Sequence, residues 1–183
     1  VGGYSDSYLG IVENYNGSSW TEVTDLNTPR AVPGSTDQSS TAALAIAGYR
    51  GPPTADRTKF VEEWNGSAWT EIADVNQERM EMGSAGSYTD ALIFGGYDTA
   101  NIANTEHWDG TSWTEVADLA TARTQLAGTG SSPAALAIGG GESPRLANTE
   151  EFTAPSVFSQ ITEGQLFFNS TTNTFKETIT DIP

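Results

Sequence analysis

The chain has no cysteine, one histidine and two methionines, and its 8 Lys and Arg residues stand against 24 Asp and Glu. Each scarcity removes a class of chemistry. Without cysteine there is no disulfide framework, thiolate nucleophile or cysteine-ligated zinc. One histidine, His107, cannot build a His-rich copper site. A net charge of −16 repels phosphate backbones and anionic lipid, so no nucleic acid and no membrane surface is expected as a partner. The same charge serves solubility. No apolar run approaches the ~20 residues of a membrane helix, so no membrane insertion is expected, and no signal peptide is visible. No stretch reads as a convincing helix. ADLATAR is helical by propensity, but its counterparts TDLNTPR and ADVNQER carry Pro, Asn and no apolar period.

What the chain has is repetition. ENYNGSSWTEVTDLNTPR begins at Glu13, EEWNGSAWTEIADVNQER at Glu62, and NTEHWDGTSWTEVADLATAR at Asn104. Each copy carries a first aromatic (Tyr15, Trp64, Trp108), an Asn-Gly or Asp-Gly pair, a second aromatic (Trp20, Trp69, Trp113) and a closing arginine (Arg30, Arg79, Arg123). Trp20 to Trp69 is 49 residues and Trp69 to Trp113 is 44. Periods of that length mark blades or solenoid units.

Within each period the pattern predicts four short antiparallel strands, a to d. Strand a is a Gly/Ser/Ala-rich stretch after the arginine, at residues 31–36, 80–86 and 124–130. Strand b is an apolar run at 42–47, 91–94 and 134–138, of a length that suits burial on both faces. Its ends align as Ala47-Gly48-Tyr49, Gly95-Gly96-Tyr97 and Gly139-Gly140-Gly141, and Gly2-Gly3-Tyr4 is the same ending. Ala47 in place of the first glycine implies a less demanding strand end. Strands c and d flank the Asn-Gly or Asp-Gly pair, which favours a type I′ hairpin turn with both central residues at positive φ. The five tryptophans all fall at repeated strand positions, where packing is their expected role.

These residues resemble the kelch family: Gly95-Gly96 ending strand b, Trp108 before the c–d turn, Trp113 in strand d, and Arg123 opening the next unit. The resemblance covers residues 1–152 and implies an all-β, kelch-like β-propeller of four-stranded antiparallel blades with a 44–49-residue repeat. The propeller region is expected at 1–153. The segment 154–183 is expected as a C-terminal β-hairpin region that completes a ring or makes partner contacts. Its strands are read at 157–162, 165–169 and 174–180. The blade count leaves either an incomplete ring or a small four-bladed one. Residues 157–162 are a candidate for the missing d strand of the last blade, and the hairpin for the strands missing at the start. Opening inside a Gly-Gly, the chain reads as a fragment or as a module completed by a partner.

GQLFFNSTTNTFK is similar to a hairpin common in phage tail, fibre and other structural proteins, and the Asn/Ser/Thr-rich repeats are similar to those of marine phage virion proteins. The resemblance implies a non-enzymatic module of a phage virion appendage, a tail fibre or decoration protein, located in the virion. Its expected partners are other virion proteins or copies of itself in a homo-oligomer or larger assembly, with a host-surface glycan as a further ligand. The alternative is a carbohydrate-binding adhesin domain at a bacterial cell surface, and a glycosidase-type enzyme comes third. Contacts are expected on the loops 51–56, 98–103 and 141–147.

The sequence points to no catalytic, cofactor-binding or metal-ligating residue. His107 aligns with Asn14 and Glu63, which marks an ordinary strand position. The stretch 109–113, DGTSW, is one residue short of a sialidase Asp box, and 98–104 lacks the D-x-D-x-D-G order of a calcium loop. The sequons at Asn16 and Asn65 are accounted for by turn geometry; a third begins at Asn169. The one charged pattern that repeats suggests structure. Each arginine is expected to tie its d strand to the next unit through Asp25, Asp74 and Asp118, or through Glu22, Glu71 and Glu115. An arginine cluster for an anionic ligand is the functional alternative.

Overall fold

The computed structural model describes residues 1–36, 39–51, 56–141, 145–153, 166–169 and 174–177. Among them every regular element is a strand, and there is no helix. Unit I holds two hairpins, β1 (Gly3–Ser5) with β2 (Ser7–Leu9), and β3 (Glu13–Tyr15) with β4 (Trp20–Glu22). Unit II is a four-stranded sheet, β5 (Gly34–Ser35), β6 (Ala43–Tyr49), β7 (Arg57–Trp64) and β8 (Trp69–Glu71). Unit III repeats it with β9 (Gly83–Ser87), β10 (Asp90–Phe94), β11 (Thr105–Trp108) and β12 (Trp113–Val116). Unit IV has three strands, β13 (Ala127–Ser131), β14 (Ala134–Ile138) and β15 (Thr149–Thr153). A last hairpin pairs β16 (Leu166–Asn169) with β17 (Thr174–Glu177). Every ladder is antiparallel and joins neighbours in sequence. The strand expected at 157–162 lies outside the described residues, as do parts of the loops 51–56 and 141–147.

Two of the three apolar runs are buried on both faces as expected. Leu44, Ala45 and Ile46 in β6 and residues 91–94 in β10 are at most 2% exposed. Leu44 and Ile46 form one core cluster with Met82, Ile93 and Trp113 of unit III. β14 departs from the expectation. Ala135 and Ala137 are buried, whereas Leu136 and Ile138 are 38% and 39% exposed, because no described unit covers that face. The first strands of units II to IV are small-residue strands because they run close together. A Cβ on Gly128 would lie 2.2 Å from the Ser84 carbonyl oxygen, and Ser84 Oγ donates to Ser35 O at 2.8 Å.

The c–d turn is not type I′. Tyr15 pairs with Trp20, Trp64 with Trp69 and Trp108 with Trp113, leaving four residues in each connection. Only the glycines take positive φ, +99° at Gly17 and +93° at Gly66 and Gly110; Asn16, Asn65 and Asp109 do not. Those three act through their side chains. Asn16 Oδ1 accepts from the amides of Ser18 and Ser19, Asn65 Oδ1 from Ser67 and Ala68, and Asp109 Oδ1 from Thr111 and Ser112. The Asx geometry, which a short acceptor side chain provides, outweighed the hairpin rule. Hydrogen bonds from the Thr111 hydroxyl and from the Ser112 and Thr111 amides hold the Asp109 carboxyl down at about 2.

The Gly-Gly ending also differs from expectation. Ala47 has φ +51°, the left-handed conformation of Gly2, Gly95 and Gly139 at +65°, +61° and +62°. The position is therefore as demanding in unit II as elsewhere. The second glycine is stricter, with φ from +107° to +135° in all four units. A Cβ on Gly48, Gly96 or Gly140 would meet a backbone carbonyl oxygen at 2.8 Å.

Gly96→Ala should lower unfolding free energy by about 2–3 kcal/mol in urea titrations, through φ strain and the carbonyl clash. Gly95→Ala also sets a Cβ against a backbone carbonyl, Arg123 O at 2.7 Å, but at a φ of +61° close to the +51° that Ala47 adopts, and should cost less. A second expectation concerns acid. Asp109 titrates lower folded than unfolded, so its stabilisation is complete above the unfolded pKa and is lost as pH falls through about 2. Asp109→Asn should shrink the drop in Tm between pH 5 and pH 2 relative to wild type.

Candidate functional site

The repeated arginines are the sequence's candidates for an anion-binding cluster. Arg30, Arg79 and Arg123 are 0% exposed. None of them reaches a free surface. Each meets a glutamate on the c strand of the following unit: Arg30 Nη1 lies 2.7 Å from Glu62 Oε1, Arg79 Nη2 lies 2.6 Å from Glu106 Oε1, and Arg123 Nη1 contacts Glu150 Oε1. Other guanidinium hydrogens go to carbonyls, such as Ala45 O for Arg30 and Gly95 O and Asn104 O for Arg79, while Nε of Arg30 and of Arg123 is buried without a hydrogen-bond partner.

The partner acids are not those the spacing suggested. Asp118 accepts from the Thr105 amide inside its own unit. Glu71 acts on Arg30, and Glu115 and Asp118 on Arg79, only through longer-range charge. Burial pushes both guanidinium groups down from their ordinary range, with Glu62 and Glu106 opposing it. The tie between successive units was foreseen; the carboxylate was not. Its signal was available: Glu13, Glu62, Glu106 and Glu150 each stand two residues before the first aromatic of a unit.

The glutamates also hold the preceding linker. Glu62 Oε2 accepts from the Asn27 amide at 2.7 Å and from Asn27 Nδ2 at 2.9 Å, and Glu62 Oε1 accepts from the Thr28 amide at 3.3 Å. Asn76 and Gln77 repeat this on Glu106. Ala120 has no side-chain amide, so Glu150 receives its backbone N–H alone at 2.6 Å and is 24% exposed. Burial opposes ionisation of Glu150, yet the Arg123 and Ala120 bonds together lower its pKa. Its contribution is thus present above the unfolded pKa and lost as pH falls through the folded one.

The exposed chemistry lies elsewhere, at the ends of the b strands. The Tyr4 ring lies 5.0 Å from that of Tyr8 at a tilt of 54°, and Tyr8 meets the Tyr49 ring edge-on at 5.5 Å. Tyr49 pairs in register with Arg57. The Arg57 guanidinium lies 5.4 Å over the Tyr97 ring of unit III, and its Nε donates to Asp98 O at 2.5 Å. Four tyrosines and one arginine thus form a row across units I to III. Tyr4 is 64% exposed and the others are half-buried. Burial, then Tyr49 and Tyr4, push the Tyr8 phenol up. Gly51 is the floor under this row, since a Cβ there would fall 1.7 Å from the Tyr8 ring. Trp64, Trp69, Trp108 and Trp113 are buried as expected, while Trp20 is 65% exposed on a face of unit I that no described unit covers.

His107 Nε2 lies 2.7 Å from Asp90 Oδ1 across the b–c pair and is half-exposed. Among the described residues no group of three or more His, Cys, Asp or Glu could hold a metal ion. A cavity of about 400 Å³ lies between units III and IV, with mostly apolar walls that include Phe94, Val116, Leu119 and Phe152.

No family model matches the chain, and no curated protein matches it. Among solved structures 134 chains match. One, the structure of YjhT, shares the fold with a TM-score of 0.67 at 14% identity, covering 80% of this chain and 50% of its own. The chain spans about half the length of that structure.

The arginine tie has a direct test. Arg79→Ala and Glu106→Ala should each cost about 3–5 kcal/mol, because each leaves the other charge buried and unpaired. The double variant should cost much less than the sum. The Arg123/Asp118 pair, measured the same way by urea unfolding, should show no coupling.

Proposed function

We propose that the chain is an arc of kelch-like β-propeller blades, and that it serves as a non-enzymatic interaction module of a phage virion appendage, a tail fibre or decoration protein. The ligand class is a host-surface glycan, and the binding face is the row Tyr4, Tyr8, Tyr49, Arg57 and Tyr97. That row is the observation that carries the reading. Phenol faces stack on the C–H face of a sugar ring, hydroxyls and a guanidinium fix its orientation, and nothing in the row resembles a nucleophile with its base. The surrounding blades supply rigidity, which lets half-buried rings bind at a low entropic cost. The YjhT likeness supports the fold part of the reading only. An adhesin domain at a bacterial cell surface would use the same face, and antibody labelling of purified virions against host cells separates the two settings.

A glycan array of the wild-type chain should show a confined set of bound sugars. Tyr8→Ala and Tyr49→Ala should each weaken that binding at least tenfold at nearly unchanged Tm. Binding unaffected by either variant moves the ligand off this face, and an array with no bound glycan leaves assembly contacts as the module's role.

A further inference from the structure

The cavity between units III and IV stands at the position where the two preceding joints hold an indole. Trp69 Nε1 donates to Thr24 O and Trp113 Nε1 to Ala73 O, both at 3.1 Å, so each d-strand tryptophan reaches back to the unit before it. Trp113 lies 5.4 Å from Trp108 and shares its cluster with Ile72 and Val75 of unit II and with Ala91 and Ile93 of unit III. Strand register gives the same positions one unit on. Ala135 pairs with Phe152 as Ala91 pairs with Trp108, and Ala137 pairs with Glu150 as Ile93 pairs with Glu106. In the linker, Val116, Ala117 and Leu119 replace Ile72, Ala73 and Val75. All of these replacements line the cavity, and alanine for Ile93 and phenylalanine for Trp108 widen it. Its volume of about 400 Å³ is that of a small-molecule site, with the apolar walls such sites have.

The charge around the cavity has one sign. Asp118, Glu150 and Glu151 line it, and no Lys, Arg or His does. Arg123 neutralises Glu150. Asp118 accepts the Thr105 amide, a bond that leaves its charge in place. Among the described residues neither Asp118 nor Glu151 has an ion-pair partner. Two unpaired carboxylates beside low-dielectric walls attract a cation and repel an anion, and the net charge of −16 acts in the same direction.

We propose that this cavity is a binding site for a small aromatic amine of indole size, a planar apolar ring with a cationic arm. The ring takes the place that Trp113 takes one joint earlier, against Phe152, Val116 and Leu119. Its edge N–H donates to the Ala117 carbonyl as Trp113 donates to that of Ala73. The ammonium faces Asp118 and Glu151. The assignment is independent of what the tyrosine row binds.

Three probes that share one ring system test it: tryptamine, neutral indole and indole-3-acetate, each titrated against the full chain by thermal shift and ligand-observed NMR. Tryptamine should raise Tm saturably. It should bind roughly tenfold more tightly than indole-3-acetate, with indole between them. Asp118→Asn should remove most of the advantage of tryptamine over indole and leave indole binding nearly unchanged. Leu119→Trp, which brings an indole into the cavity from its own wall, should abolish binding of all three. If that chain does not fold, Ala137→Leu fills the same space with less bulk and should weaken all three. Tyr8→Ala distinguishes this cavity from the tyrosine row and should leave tryptamine binding unchanged. No binding by any probe, equal affinity for tryptamine and indole-3-acetate, undiminished binding to a folded filled variant, or loss of binding in Tyr8→Ala would each overturn the assignment.

Discussion

A carboxylate buried against the chain that leaves the preceding unit is the contact on which the repeat depends. Glu62 and Glu106 are each 1% exposed, and each receives an arginine, two backbone amides and an asparagine side chain from the linker of the unit before. A charge so placed would be costly without them, since an ion stripped of water needs both a counter-ion and hydrogen bonds for its remaining lone pairs. The guanidinium meets the first need, and its planar fork also reaches the carbonyls at the end of strand b. One ion pair therefore fixes the linker, the c strand and the b-strand end together.

The hydrophobic packing follows the same boundary. The d-strand indoles of units II and III sit on the residues just before that linker, so there the polar tie and the apolar seat are two sides of one joint. Units related in this way draw stability from intrinsic terms and nearest-neighbour terms, as repeat proteins do. The joints are graded. Those entering units II and III have an asparagine in the linker and a tryptophan in the seat. The joint entering unit IV has Ala120 for the asparagine, Phe152 for Trp108, a partly exposed Glu150 and an open cavity. The outer faces of the described units show what lacks a neighbour: Tyr15 and Trp20 at one end, Leu136 and Ile138 at the other.

Much of this was legible in the sequence because repetition averages out local ambiguity. Three aligned copies located the strands within a few residues, and the absence of a helix followed from disagreement among the ADLATAR-like stretches. What was misread depended on side-chain direction. Asn-Gly predicts a two-residue turn from backbone preference, but Asn16, Asn65 and Asp109 act as acceptors and open a four-residue connection. The acids nearest in sequence to the arginines were plausible partners, yet the joint is made across units, at a spacing of 32 residues for Arg30 and Glu62 and 27 for Arg79 and Glu106. Ala47 looked like relaxation and is a left-handed alanine. Three members of the tyrosine row, Tyr4, Tyr49 and Tyr97, stand at one aligned repeat position, the Gly-Gly ending; the row was hidden because Tyr8 and Arg57, from the strands after those endings, join them only in the fold.

The most direct test of the joint is amide hydrogen exchange at Asn27 and Asn76. Both lie in linkers outside any strand, and their backbone N–H groups donate to the carboxylates of the next unit, at 2.7 and 2.6 Å. If the joint governs the assembly of units, these amides will be protected to the level of Leu92 in β10, with Ala120 exchanging faster. Exchange at Asn27 and Asn76 at the rate of the exposed turns would contradict the account, since the units would then separate at the joint without unfolding.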